Sequence, residues 1–250
     1  MAPKSTETYP CDSLLVSKPS APAPTLSVVL PTLNEARGIG TCITQVKRAI
    51  ATLDVRAEII VSDSSSDSTP RIANEMGAIV VKPDKRGYGY ACRYGFEQSR
   101  GEYLVMGDAD TTYDFEEIPP LVDCVMSDDA DIVLGSRFDG TIARGAMPPL
   151  HRYLGNPLLT KLLTCCYDIQ VSDAHSGLRV LSREAYEQLQ LGSDGMEFAS
   201  EMLMAAQAEG MCIEEIPITY HERVGEATLE SFTDGWRHLK FMMSNLSEYR

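Results

Sequence analysis

What the chain lacks narrows its nature first. It has no uninterrupted apolar run approaching the ~20 residues that cross a bilayer as a helix, which argues against a membrane span. Its N-terminus has no apolar core of the kind that marks a signal peptide. Positive charge is scarce: 22 Lys and Arg stand against 36 Asp and Glu, a net charge of −14. Such a surface argues against general binding to nucleic acid backbones. It is compatible with a saline cytoplasm or with a merely soluble surface. Seven cysteines form no CxxC pair, and their number is odd. Cys165 and Cys166 are adjacent and poorly placed to bridge one another. Reduced, mostly buried thiols are therefore expected rather than metal ligands or a disulfide framework. No internal repeat is present. The dinucleotide fingerprint is missing too: Gly87-Tyr88-Gly89 follows a third strand, and the next glycine is Gly95, so GxGxxG spacing fails.

What is present is an α/β rhythm. At 250 residues and 44% hydrophobic, the chain can bury a full core. Residues 1–24 carry Pro3, Pro10, Pro19, Pro22 and Pro24 among Ser, Thr and Ala, and read as a flexible tail. From Leu26 onward, β-rich runs at 26–30, 58–61, 78–81, 103–106 and 131–134 alternate with helical stretches near 36–52, 68–76, 88–99 and 116–127. Alternation of this kind implies βαβ units and a mostly parallel sheet. The runs scarcely alternate polar with apolar, as expected for strands covered on both faces. After about residue 140 the rhythm breaks. A helix near 150–166, a turn-rich segment 172–177, a helix near 196–209 and a β-like segment 212–220 follow. A last helix near 231–247 places Trp236, Leu239, Met243 and Leu246 on one face, expected to be a core face rather than a membrane surface.

Polar residues gather at the ends of the strands, where ligands bind in an open parallel sheet. They are Pro31–Glu35, Ser62–Asp67, Lys82–Gly89, the stretch Gly107–Phe115 and Gly135–Arg137. Each alone has a plain reading as a turn or helix cap; together they converge on one rim. In an extended segment, side chains two apart face the same way, so Asp108 and Asp110 repel unless a cation lies between them. Oxygen ligands with positions left to water suit Mg²⁺ or Mn²⁺, shared with substrate phosphates. Gly87 and Gly89 would permit close backbone approach to a ligand, with Lys85 and Arg86 beside them able to meet a diphosphate.

In order and spacing, Pro31-Thr32-Leu33-Asn34-Glu35, Val61–Thr69, Gly87-Tyr88-Gly89 and Asp108-Ala109-Asp110 resemble family 2 glycosyltransferases of the GT-A fold. Gly135-Ser136-Arg137, Asp173–Arg179, Met196-Glu197-Phe198 with Glu201, Glu215-Ile216-Pro217 and Arg223–Glu226 resemble the dolichyl-phosphate mannose and glucose synthase branch. The resemblance covers residues 26 to about 230. It implies a single Rossmann-like α/β domain over 25–230; the apolar stripe that follows marks 231–250 as a C-terminal amphipathic helix. By position it implies that Pro31, Asn34, Glu35 and Asp63, with Gly87 and Gly89, line the nucleotide pocket. It likewise implies that Asp108 and Asp110 hold Mg²⁺ or Mn²⁺, and that Arg137, Arg152 and Arg223 face a lipid phosphate. Three departures stand out. The usual double aspartate after the second strand is Ser62-Asp63, a common Gln is Thr112, and the usual Gly-Glu-Ser-Lys-Leu is Gly225-Glu226-Ala227-Thr228-Leu229.

The reaction so implied is inverting transfer of a mannose or glucose from GDP-mannose or UDP-glucose to a polyprenyl (dolichyl) phosphate. A phosphate monoester is largely ionised at neutral pH and needs no strong base, whereas a hydroxyl acceptor would need a positioned Asp or Glu. Arginines in an acidic chain suit phosphate oxygens, although surface salt bridging is their ordinary use. Asp173 and Glu201 are expected to organise the acceptor region, with Asp173 a base if the acceptor is a hydroxyl; His175 is a further candidate contact. The competing expectations are transfer to a hydroxyl of a glycan or small molecule, and a catalytically silent sugar-nucleotide-binding protein serving a membrane partner. Without a spanning helix before Arg250, the protein is expected at the cytoplasmic membrane face, peripherally or through a partner protein.

Overall fold

The computed structural model describes residues 14–16, 22–225, 231–246 and 249. Seven strands form one sheet in the order β3-β2-β1-β4-β6-β5-β7: β1 Leu26–Thr32, β2 Ala57–Asp63, β3 Ile79–Val81, β4 Tyr103–Met106, β5 Ile132–Ile142, β6 Arg179–Ser182 and β7 Ile213–Tyr220. Every pairing is parallel except the two made by β6, which runs against both β4 and β5. The expected GT-A architecture is therefore present, with one reversed strand.

Burial explains why the apolar runs do not alternate. All of β1 and β2 is buried, and successive side chains feed opposite cores. Val28, Leu30, Ile59 and Val61 enter one core with α1 Ile39–Leu53, α2 Thr69–Glu75 and α4 Ile118–Met126. Val29 and Ile60 enter the other with α3 Tyr88–Gln98, α5 Asn156–Tyr167, α7 Phe198–Ala208 and α8 Ser231–Ser244. The α1 helix shows the reason for its placement in its own spacing: Ile39, Cys42, Ile43, Val46 and Ile50 recur at three- and four-residue intervals, and all are buried. A short helical turn, Phe115–Glu117, leads into α4, capped by the Asp114 carboxylate, which accepts from the Glu116 N–H at 3.0 Å.

Several expectations change. Strand β6 and the short helix α6 Arg183–Gln188 have no clear sequence signal. Strand β6 opens on Arg179, a residue that ordinarily marks a surface. Here it is fully buried, donating to the carbonyls of Ser176 at 3.0 Å, Ala199 at 2.9 Å and Ala174 at 2.9 Å. Within the stretch expected to be tail, Leu14–Val16 runs beside the start of β2, the Val16 N–H donating to the Ala57 carbonyl and the Ala57 N–H to the Leu14 carbonyl. Residues 1–13 and 17–21 lie outside the described residues.

The last helix buries a different face from the one expected. Trp236 and Met243 are exposed, while His238 and Met242 are buried. Two polar contacts set this rotation. Ser200 Oγ lies 2.8 Å from His238 Nδ1, and the Tyr167 hydroxyl donates to the Met242 carbonyl. The cysteines are less buried than expected: Cys42 and Cys92 are buried, Cys165 and Cys212 exposed, and those six that lie among the described residues are free thiols. Among the described residues no helix is long and apolar enough to cross a membrane.

Candidate active site

The ends of β1, β2 and β4, together with the segment after β7, meet at one rim. Asp108 and Asp110 follow β4 directly. Gly38, just before α1, lies so close to this loop that a Cβ would come within 2.8 Å of the Ala109 carbonyl oxygen. Thr111 adopts φ 70°, a left-handed conformation unfavourable for a β-branched residue. The turn is held by Asp110, whose Oδ1 accepts from the Thr112 N–H at 3.0 Å and the Thr112 hydroxyl at 2.6 Å. Thr112 thus braces the aspartate from behind.

Asp108 is fixed from the other side. Tyr88 donates its hydroxyl to it, and a Cβ on Gly177 would fall 2.6 Å from Asp108 Oδ2. Burial, then the charge of Asp110, raises the Asp108 carboxyl to about 6, against the Tyr88 hydrogen bond and the guanidinium groups. Neither Tyr88 nor Gly177 stood out in the sequence as a partner of the aspartate. Tyr113 did not either, yet its buried hydroxyl accepts from the Gly177 N–H at 2.6 Å and so places that glycine.

The remaining carboxylates gather around one arginine. Glu35, buried at the end of the β1 loop, pairs with Arg223 Nη2. Asp110 Oδ2 accepts from Arg223 Nη1 at 2.8 Å. Burial raises Glu35 to about 7; Arg223 opposes this, while Asp110, Asp108 and Asp67 add to it. Arg223 rides on a strap after β7. The His221 N–H donates to the Thr112 carbonyl at 2.8 Å and the Val224 N–H to the Asp110 carbonyl at 3.0 Å. Arg223 therefore faces the carboxylates, not an outer acceptor.

The nucleotide-side residues form a second braced loop. Asn34 takes φ 61° and its side chain accepts from the Ser66 N–H at 2.9 Å. Its own N–H donates to Ser65 Oγ at 2.7 Å. Asp63 accepts from Thr32 Oγ1 at 2.7 Å and from the Ser65 N–H at 3.2 Å, and Pro31 is buried in β1 opposite Ser62. Asp67 accepts from the Ala36 N–H at 3.2 Å and the Thr69 N–H at 2.9 Å, tying the β1 and β2 loops together.

The glycines expected to approach a ligand instead approach the chain itself. A Cβ on Gly87 would stand 2.2 Å from the Asp194 carbonyl oxygen, and one on Gly89 2.4 Å from that of Ser193. Glu201, buried in α7, holds that loop by accepting from the Gly192 N–H at 2.8 Å and the Ser193 N–H at 2.9 Å. Glu201, expected to organise the acceptor region, thus holds the 192–193 backbone, and the neighbouring 194–195 carbonyls accept from the Gly89 and Tyr90 amides at the start of α3.

Arg137 is buried and locked. Its Nε donates to Asp173 Oδ2 at 2.6 Å, its Nη2 to Oδ1 at 2.7 Å and its backbone N–H to Oδ2 at 3.0 Å; its guanidinium also lies 5.2 Å from the Tyr220 ring. Both Asp173 carboxylate oxygens are thus taken up by Arg137. Arg152 lies on a π-helical turn, His151–Gly155, with its guanidinium 5.6 Å from the Tyr153 ring. Among the described residues it makes no ion pair and is not brought to the carboxylates. His175 and His238 stack edge to face, centroids 4.6 Å apart, and both approach Ser200. Burial pushes both imidazoles down, His238 to about 4.

Among the described residues, no three His, Cys, Asp or Glu side chains converge as a complete metal site. A pair of carboxylates is nevertheless of the oxygen-donor type that holds Mg²⁺ beside nucleotides. The Arg223 guanidinium lies between Glu35 and Asp110 and offsets their charge.

A mostly parallel sheet with one reversed strand, and an aspartate pair at the end of its central strand, defines the GT-A class of glycosyltransferases. The sequence profile described as glycosyl transferase family 2 matches residues 27–190, and the chain belongs to that family. It is 58% identical over 238 residues to the low-salt glycan biosynthesis hexosyltransferase Agl6 of Haloferax volcanii, a match covering 95% of this chain but only 58% of that protein. It is 34% identical to the dolichyl-phosphate hexose transferase of the same organism, over 84% of this chain and 89% of the relative. In fold it is similar to glucosyl-3-phosphoglycerate synthase of Mycobacterium tuberculosis, solved with Mn²⁺, UDP and glucosyl-3-phosphoglycerate. The TM-score is 0.71 at 23% identity, over 90% of this chain and 80% of the other.

Proposed function

We propose that this protein is an inverting hexosyltransferase that moves mannose or glucose from a nucleotide-diphosphate sugar, GDP-mannose or UDP-glucose, to a polyprenyl (dolichyl) phosphate. The observation that carries this reading is the Asp108 and Asp110 pair at the end of β4, beside the corner where Arg223 bridges Glu35 and Asp110. The names of the Haloferax relatives support the hexosyl group and the lipid phosphate.

Asp108 and Asp110 would hold a divalent cation, Mg²⁺ or Mn²⁺, whose charge offsets that developing on the leaving diphosphate. The braced loops of Asn34, Asp63 and Asp67 form the nucleotide side. They are pre-set by hydrogen bonds within the chain, so binding need not order them first. An acceptor phosphate oxygen attacks the anomeric carbon as the bond from that carbon to the diphosphate oxygen breaks. The nucleoside diphosphate leaves, and the anomeric centre inverts. Ionised at neutral pH, the acceptor needs no proton removed. Asp173, the carboxylate available for a hydroxyl acceptor, is taken up by Arg137, which favours the phosphate. Arg152, without an ion pair among the described residues, is suited to meet that phosphate at the membrane face, the protein acting peripherally or with a membrane partner.

The test mixes purified protein with labelled nucleotide sugars, polyprenyl phosphate and Mg²⁺ or Mn²⁺. Label extractable into organic solvent is the expected result. A water-soluble glycoside would show a hydroxyl acceptor. Tight nucleotide binding without turnover would show a silent binding protein.

A further inference from the structure

Arg223 sits where its charge is useful only while no other cation is present. Its two terminal nitrogens bridge Glu35 and Asp110, from the two loops that bear the candidate nucleotide and metal residues. Its Nε is buried and makes no hydrogen bond. A guanidinium whose donors are only partly matched is not placed for a permanent structural bond. Among the described residues, a few bonds fasten the strap that carries it to the same loop. These are the Val224 N–H to the Asp110 carbonyl, the His221 N–H to the Thr112 carbonyl, and the bridge between Tyr113 and Tyr220. Gly225, the next residue, has φ +123°, in a region that L side chains rarely adopt. Its backbone passes Glu35, with a Cβ there 3.8 Å from Glu35 Oε2.

We propose that Arg223 is the resting counter-cation of this carboxylate corner, and that a divalent cation displaces it and frees the 221–225 strap. The two cannot share Asp110 Oδ2 in comfort: both are positive, and both draw on the same oxygen. Arrival of the cation therefore removes the reason for Arg223 to stay. The released guanidinium becomes available for phosphate oxygens, which suit its planar fork. Arg223 then has two stations, and the first reports that the site is empty. The idea rests on the proposed metal role of Asp108 and Asp110.

Calorimetric titration of the purified protein with Mn²⁺ alone, without nucleotide, tests it. Arg223→Gln is expected to bind Mn²⁺ about tenfold more tightly, the factor by which a closed state populated about nine-tenths of the time weakens an apparent affinity. Arg223→Lys, whose compact ammonium cannot span both carboxylates, is expected to fall between wild type and the glutamine variant. In wild-type protein, hydrogen exchange at the Val224 amide is expected to speed up as Mn²⁺ saturates. Equal or weaker Mn²⁺ binding by both variants, with unfolding midpoints near wild type, overturns the proposal. Slower exchange at Val224 on adding Mn²⁺ overturns the release of the strap. If wild type binds Mn²⁺ and Asp110→Asn weakens it, the metal assignment stands whatever Arg223 does. Failure of wild type to bind Mn²⁺ removes both readings together.

Discussion

Arg137 and Arg223 each answer a buried carboxylate, and the difference between them separates the rigid part of this site from its working part. Arg137 meets a single aspartate with a matched fork and its own backbone N–H, and the Tyr220 ring lies over it. Arg223 is split between Glu35 and Asp110 and leaves Nε unpartnered. Both positions were expected to face an acceptor phosphate. The first is instead part of the framework that fixes the 172–177 loop, while the second is a cation lying against candidate ligands. Arginine alone does not mark a phosphate site; how completely its donors are matched decides whether it is free to change partners.

Breaking the matched pair should have the largest effect. Asp173→Asn leaves Arg137 buried with a weaker partner, and removal of one member of a buried pair costs about 3–5 kcal/mol. A shift in the urea midpoint measures it, and a loss below about 1 kcal/mol would show that Arg137 is not held by this pair. Asp110→Ala should lower metal-dependent transfer about a hundredfold or more, the scale of charge stabilisation by a bound metal. Full activity in that variant would refute the metal assignment.

A third prediction probes the rigid side through pH. His238 is buried uncharged, and burial lowers its pKa from the usual 6.5 to about 4. Between those values the unfolded chain binds a proton that the folded protein does not. Stability from this group is therefore present above about pH 6.5 and lost as pH falls towards 4. At pH 5 the loss is about 2 kcal/mol. Ser200 and the ring of His175 face it, and the charge of Arg179 also disfavours the proton. Thermal unfolding at pH 7.5 and pH 5.0 should show a smaller acid-induced fall in His238→Asn than in wild type. An equal fall in both would exclude the histidine as the cause. The smallest effect is expected at the working end: Arg223→Gln should cost less stability than Asp173→Asn, because the Arg223 side chain stays 21% exposed whereas Arg137 and Asp173 are buried. A loss of several kcal/mol on urea unfolding would place Arg223 with Arg137 as framework.

The sequence showed the parallel part of the sheet because each strand is a short apolar run followed by a polar turn, and those features are local. Strand β6 escaped because Arg179 looks like a surface residue unless the carbonyls of Ala174, Ser176 and Ala199 are known to surround it. The α8 stripe was misplaced because Trp236 is apolar in sequence but His238 is buried in the fold, held at Ser200. Gly87 and Gly89 were expected to let a ligand approach the backbone, but what approaches them is the 193–195 backbone, which lies about a hundred residues away.

From the sequence alone came the family, the α/β architecture, and the aspartate pair at a strand end, because order, spacing and local charge carry them. Tertiary structure alone decided which polar residues are braces and which are free to act. Thr112, Tyr88 and Gly177 fix the aspartates, Asp173 immobilises Arg137, and Arg223 closes on Glu35 and Asp110. The physical reason is that a charged side chain's role depends on the partners that desolvate and neutralise it. Here those partners come from distant parts of the chain.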